Sequence, residues 1–254
     1  MKNYLKANTI PFWVMHLTCL SVFMLPFQIR YIFLAVGLYA VRMFFITAGY
    51  HRYFSHRTFS TNRFCQFILA FMAMTSSQKG VLWWAAHHRD HHRYSDQEED
   101  IHTPQKGFWW SHIGWILSDE HSQTNSNRVK DFLKFPELVW LDRFWLVPVF
   151  IYGSAIFYFF GFTGFIWGFC VSTVFLWHGT FTINSLSHVW GTRPYKTNDD
   201  SRNNAFLALI TLGEGWHNNH HRYPKSVRNG LKWWEFDITY YVLKTLSWMK
   251  LVKY

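Results

Sequence analysis

Residues 144–192 read FWLVPVFIYGSAIFYFFGFTGFIWGFCVSTVFLWHGTFTINSLSHVWGT, 49 residues without a single Asp, Glu, Lys or Arg. A helix needs about 20 apolar residues to cross the hydrocarbon core of a bilayer. This stretch is therefore long enough for two crossings, with Gly161-Phe162-Thr163-Gly164 as the turn between them. Working outward, residues 7–29 form a second uncharged window of 23 residues. The pattern predicts four membrane-spanning helices in two hairpins, near 11–28, 31–50, 145–161 and 164–184, the first pair turning at Gln28-Ile29-Arg30. The opening segment follows Lys2 and Lys6, contains Pro11 and Gln28, and shows no small-residue cleavage site before the next apolar run. It is expected to be a span and not a removed signal peptide.

Charge placement gives the orientation. The 254 residues carry 25 Lys+Arg against 15 Asp+Glu, a net charge of +10. Arg30 alone falls in a short loop away from the termini, Arg42 falls inside the second segment, and the other 23 basic residues lie on the side of the termini. The positive-inside rule then puts both termini and the connecting regions 51–143 and 185–254 in the cytoplasm. The expectation is a single unit over residues 1–254: an all-α integral membrane protein whose spans carry a helical cytoplasmic cap. The pairs Trp83-Trp84, Trp109-Trp110 and Trp233-Trp234 suit the headgroup layer, and the short apolar run Phe64–Met74 suits that layer or the underside of the cap.

Composition removes several classes. With 21% aromatic residues and 15 Trp, the chain is neither disordered nor collagen-like nor a coiled coil. Cys19, Cys65 and Cys170 stand far apart in apolar surroundings and make no disulfide framework or thiolate metal site. The basic excess suits anionic lipid. No basic-aromatic module recurs to suggest nucleic acid, and neither a phosphate-cradling glycine loop nor a dinucleotide fingerprint is present.

The chemistry lies in the histidines, 13 of 15 of which fall in the two connecting regions. His16, His112 and His121 stand alone and read as structural side chains. Nine others cluster: His51 and His56, then His88-Arg-Asp-His91-His92, then His188 in Asn184-Ser-Leu-Ser-His188, then His217-Asn-Asn-His220-His221. On a helix, residues four apart share a face, whereas neighbours diverge by roughly 100°. Each HxxHH run thus offers a pair of imidazoles to one ion and a single imidazole to a neighbouring ion. Such an all-nitrogen set suits iron, copper or zinc rather than magnesium or calcium. Nine imidazoles exceed the four that zinc ordinarily takes and point to two metals with fuller shells, as an oxygen-activating di-iron centre requires. Asp90, Asp96, Glu98, Glu99, Asp100 and Glu214 are candidate acceptors for the outer ring N–H groups, with a solvated acidic loop as the other reading of Glu98 to Asp100.

These motifs resemble those of the membrane fatty-acyl desaturases, in particular the stearoyl-CoA-type Δ9 branch in its bacterial form. The resemblance runs from Ile46-Thr47-Ala48-Gly49-Tyr50 to Trp233-Trp234-Glu235 and includes Glu214-Gly215-Trp216 before the last cluster. It implies that His51, His56, His88, His92 and His220 bind one iron and that His91, His188, His217 and His221 bind the other, with Asn184 reaching the second through a water. It implies an oxidoreductase of unsaturated fatty acid synthesis in the bacterial inner membrane. With dioxygen, such an enzyme removes hydrogens from two adjacent methylenes, leaving a cis double bond and two waters. Gln78, Trp84, His178, Thr180 and Phe181 are candidates to line the acyl tunnel, with helix packing as the alternative. The acyl-CoA members carry Arg-Asp before the middle cluster where this chain has Ala86-His87, so the acyl carrier stays open between CoA, carrier protein and membrane lipid. His87 is expected to be structural or to meet the headgroup.

No flavin, haem or iron–sulfur pattern is present, so electrons are expected from a separate ferredoxin, rubredoxin or cytochrome b5-like donor. Arg222, Lys225, Arg228 and Lys232 form a basic run that either docks such a donor or is a lipid-facing, solvated surface. A His-cluster hydroxylase or ketolase of a lipid or alkane, and a non-enzymatic metal-binding membrane protein, are the competing readings.

Overall fold

The computed structural model describes residue 4 and residues 6–254; Lys2 lies outside the described residues. Helix α1 (Ile10–Cys19) starts with Pro11 in its first turn, where the missing N–H has no intrahelical partner to lose. It tightens into a 3₁₀ turn over Leu20–Met24. Leu25 precedes Pro26 and is extended (φ −104°, ψ 149°), the conformation that proline imposes on its predecessor. The chain therefore turns at 25–28, earlier than the predicted 28–30, and Arg30 belongs to the first turn of α2 (Ile29–Phe45). α2 runs directly into a π-helical segment, Ile46–Ser55.

A two-residue strand β1 (Ser60–Thr61) leads to α3 (Arg63–Met74), whose first turn is capped by the Asn62 side chain accepting from the Cys65 N–H at 2.8 Å. Helix α4 (Val81–Tyr94) is capped from a distance. The Asp142 Oδ1 accepts from the Leu82 and Trp83 N–H groups at 2.8 and 3.0 Å, and a Cβ on Gly80 would collide with that carboxylate. Short helices α5 (Lys130–Leu133) and α6 (Pro136–Arg143) follow.

Helix α7 (Leu146–Phe165), a π turn (Ile166–Val171), α8 (Ser172–Asn184) and α9 (Leu186–Val189) form one long apolar stretch. It is broken at Gly161, whose left-handed backbone (φ 65°) needs a residue without Cβ. The predicted four-residue turn thus shrinks to one glycine. Helices α10 (Ala205–Ile210), α11 (His217–Arg222) and α12 (Ile238–Trp248) complete the polar side, and β2 (Val252–Lys253) pairs antiparallel with β1.

The molecule is mostly helical, and among the described residues two stretches have the length and apolarity to cross a bilayer, Ile29–Ser55 and the 44-residue Leu146–Val189. Ile10–Met24 is apolar but shorter. Phe33, Phe150, Phe157 and Phe175 project outward, more than half exposed, from α2, α7 and α8. A belt of large exposed aromatics of this kind marks an apolar environment. The core lies at the junction of the apolar and polar sides, where Met43, Ile46, Phe54, Ala73, Met74, Leu82, Leu141 and Leu176 pack together. The run 64–74 belongs to this core through Leu69, Ala70, Ala73 and Met74. Arg42 is turned into the bundle: it donates to Thr75 O, to Thr173 Oγ1 at 2.7 Å and to Ser172 Oγ, and lies 4.6 Å from the Tyr152 ring. The tryptophan pairs divide. Trp109, Trp233 and Trp234 are exposed, whereas Trp83 and Trp110 are buried and Trp84 stacks between Tyr50 and His88.

Candidate metal centre

His51 and His56 stand five residues apart, a spacing that on an α-helix would turn them about 140° from one another. The π winding of Ile46–Ser55 corrects this, because its hydrogen bonds join residues i and i+5. The His56 N–H donates to His51 O at 3.1 Å, and the two rings lie 4.8 Å apart on one side. On α4, His88 and His92 occupy one face and His91 an adjoining one. On α11, His217 and His221 pair while His220 turns toward the α4 pair. His188 enters from α9, after the break in α8 at Ser185.

The nine histidines meet as two groups. His51, His56, His88, His92 and His220 form one and His91, His188, His217 and His221 the other, the potential ligand atoms within each group lying within 4.8 Å of one another. Nε2 atoms face each other at 3.0 Å (His51–His220), 2.9 Å (His220–His92), 2.9 Å (His56–His88) and 3.1 Å (His188–His217). Imidazole–metal bonds of about 2.1 Å at right angles would set two ligand nitrogens about 3 Å apart.

Four carboxylates fix which nitrogen looks inward. Glu214 lies 2.6 Å from His51 Nδ1, Asp100 3.0 Å from His91 Nδ1, Asp96 2.9 Å from His188 Nδ1 and Asp199 2.8 Å from His221 Nδ1. A carboxylate accepts, so each of these Nδ1 atoms carries a proton and donates it, leaving Nε2 turned toward the centre of its group. The Nε2 of His221 is buried with no hydrogen-bond partner in the protein, as expected of an atom meant for a metal. Burial, reinforced by neighbouring imidazoles, holds His56, His88, His92, His217 and His220 well below the usual histidine range. They are in the neutral, ligating form near pH 7. The residues fit two metal ions.

Other anticipated acceptors lie elsewhere. Asp90 pairs with Arg128, and Glu98 and Glu99 are solvent-exposed. The loop 98–100 therefore divides, since Asp100 is 1% exposed and bonded to His91.

Beside the two groups lies a cavity of about 330 Å³ lined by Gln78, Trp84, His88, Thr180, Phe181 and Asn184, among others. Gln78 Nε2 donates to Thr180 Oγ1 at 3.1 Å. Asn184 ends α8, its carbonyl accepting from Ser111 Oγ at 3.0 Å. His87 also lines the cavity, its ring tied to Trp83 O at 2.8 Å. His178 does not: its two nitrogens contact His16 and His112 at 3.0 Å each, tying α8 to α1 and to the 110–114 turn. His16 and His112 are thus structural partners in one chain of rings. His102, which the pattern did not single out, lines the cavity and lies 4.3 Å from the His91 ring.

The model of the fatty acid desaturase family matches residues 11–248. The chain belongs to the fatty acid desaturase family. It is 36% identical over 243 residues to an acyl-CoA 5-desaturase of Anemone leveillei, covering 93% of this chain and 75% of that protein. It is 35% identical over 237 residues to Delta-9 acyl-lipid desaturase 1 of Arabidopsis thaliana, covering 91% and 77%. It is 39% identical over 216 residues to an sn-1 stearoyl-lipid 9-desaturase of Synechocystis sp., covering 82% and 66%. The desaturase is accordingly an oxidoreductase acting on fatty acyl chains.

Two features of the desaturase escaped the sequence. Asp199, the fourth carboxylate, lies in an irregular loop with no histidine nearby in sequence. Arg52, between the first two histidines, is 1% exposed and bonds Glu214 Oε1 and Asp237 Oδ1 at 2.9 Å each. It thereby steadies the carboxylate that holds His51. Only its position inside the first histidine cluster hinted at this.

Proposed function

We propose that the chain inserts a cis double bond at Δ9 into a saturated acyl chain, using dioxygen and two iron ions held by the nine histidines in the two groups given above. Asn184 would reach the second iron through a water, and the acyl chain would lie in the adjoining cavity beside Gln78, Trp84, Thr180 and Phe181. The Δ9 position comes from the relatives of Arabidopsis and Synechocystis. The observation that carries the reading is the juxtaposition of two groups of inward-facing imidazoles with an apolar cavity whose lining includes His88 and Asn184. Iron, when bound, supplies the oxygen-activating redox chemistry. The chain's own part is to hold the imidazoles in one tautomer, keep the acyl methylenes against them and exclude bulk water. The balance is one dioxygen, two electrons and two protons, with two hydrogens from the substrate, giving the alkene and two waters.

The fold supports four membrane segments in two hairpins, 10–24 with α2 and α7 with α8. The basic excess on one side supports cytoplasmic termini, with the metal centre facing the cytoplasm of a bacterial inner membrane. The electrons are assigned to a separate small donor such as a ferredoxin, rubredoxin or cytochrome b5-like protein. The test is expression in a host deficient in its own desaturation, with gas chromatography–mass spectrometry of total fatty acids after double-bond derivatisation. A new cis-Δ9 monounsaturated acid is expected; a hydroxylated or ketonic product from folded, iron-loaded protein would overturn the reading.

A further inference from the structure

A second hollow, of about 260 Å³, opens beside the two histidine groups and shares no lining residue with the cavity beside Gln78 and Trp84. Its lining includes His92 from one group and His221 from the other, and no further member of the nine. Arg93, Lys196 and Arg222 also line it, and all three are exposed. Apart from the two imidazoles, every side chain in the lining is charged or carries a hydroxyl or amide group. Here a ligand of each group meets a water-filled surface with no hydrocarbon between them.

The three cations are unspent. Asp199, the one carboxylate in the lining, is bound to His221 Nδ1 at 2.8 Å, and Asp200 beside it faces Arg193 at 3.1 Å. Among the described residues no carboxylate pairs with Arg93, Lys196 or Arg222; the two arginines lie over the neighbouring Tyr94 and Tyr223 rings at 5.6 and 5.7 Å. A helix C-terminus favours a basic residue in its last turn, which accounts for Arg93 on α4 and Arg222 on α11 taken singly. Lys196 stands on an irregular loop and has no such reason to be there. The rest of the basic run after the last histidines does not contribute. Arg228 donates to Lys232 O, Lys232 lies 5.1 Å from the Trp234 ring, and neither they nor Lys225 line the hollow.

Electron transfer through protein weakens steeply with distance, so electrons from outside enter where the ligands come nearest to open surface. A hollow without apolar side chains gives a permanent subunit no anchor, and suits the small, wet contact of a transient redox partner. Unpaired cations around it steer an acidic one. Resting on the desaturase reading above, we propose that the electron donor docks in this hollow. The donor is a small acidic protein with a one-electron centre at its surface; its carboxylates meet Arg93, Lys196 and Arg222, and its redox centre lies over His92 and His221. Each docking passes one electron inward and leaves the donor oxidised by one, with no bond formed between the proteins. Two dockings, with two electrons from the substrate C–H bonds, reduce one dioxygen to two waters.

The test uses the full chain in lipid nanodiscs and, as probe, an acidic plant-type ferredoxin with a two-iron, two-sulfur cluster. Binding is measured first on metal-free protein by biolayer interferometry, and is expected to weaken as salt is raised. The combined variant Arg93→Glu, Lys196→Glu, Arg222→Glu is expected to bind at least tenfold more weakly. Arg93→Gln, Lys196→Gln, Arg222→Gln, which removes the charge without reversing it, is expected to lose less and stands in if the first variant does not fold. Lys225→Glu with Lys232→Glu, outside the hollow, should change binding less than twofold. On iron-loaded protein, stopped-flow oxidation of reduced ferredoxin should slow in step with binding while iron content stays at that of the unaltered chain. No binding at low salt, unchanged binding in the altered hollow, or an equal loss from the Lys225 and Lys232 pair would overturn the docking site. None of these touches the desaturase reading, which stands or falls on the fatty-acid products.

Discussion

The decisive residues are the four carboxylates behind the imidazoles, because each sets a tautomer. Asp96, Asp100 and Asp199 all stand behind one group of histidines, whereas Glu214 stands alone behind the other and shares its charge with Arg52. Removing such an outer partner typically costs about 10- to 100-fold in metal affinity. Asp199→Asn is therefore expected to weaken iron binding by that order in a competitive chelator titration, while Glu98→Gln, on an exposed side chain, leaves it unchanged. Arg52 sits in a sealed network, so Arg52→Met strands two buried carboxylates. A loss of about 3–5 kcal/mol is expected, read as a lowered melting temperature in detergent. The histidine spacings of three and four announced themselves in the sequence because they are helical periods. Asp199 and Arg52 did not, because their partners lie 22 and 162 residues away.

At the scale of elements, helix caps and winding place the ligands. The His51–His56 spacing was legible as a motif but not as a geometry, since only π winding brings both rings to one side, and nothing in ITAGYHRYFS announces a π segment. The long apolar stretches were legible from the absence of charge. Their interruptions were less so: a single left-handed glycine suffices at Gly161, and Pro26 moved the first turn. The cap of α4 was invisible, being lent by Asp142 from another helix. Asp142→Ala should cost about 1 kcal/mol, and Gly80→Ala, which pushes a Cβ into that carboxylate, should lower the melting temperature as well. If Gly80→Ala were neutral, the remote cap would not be holding α4.

For the molecule as a whole, the proposed metal centre would also be a fastening, since the nine histidines come from the Ile46–Ser55 segment and the His56 that follows it, α4, α9 and α11. A ligand that binds only the folded state adds RT ln(1 + [L]/Kd), about 2.7 kcal/mol at a hundredfold excess over Kd. Stripping iron with a chelator is therefore expected to lower the melting temperature and restoring it to raise it again; an unchanged melting temperature would mean that the cap holds together without metal. Residue types and spacings placed the histidine clusters at the end of the apolar helices. The shape of the cavity came only from the folded chain, because Pro11 and Leu146, which both line it, are 135 residues apart in sequence and belong to different apolar segments.

The most direct test is the iron content per chain of the purified protein and of one variant in each histidine group, measured by inductively coupled plasma mass spectrometry against amino-acid analysis. Two iron ions per chain are predicted, with His56→Ala and His188→Ala each losing iron and activity together. One iron per chain in the unaltered protein, or full iron content in both variants, would contradict the two-group centre.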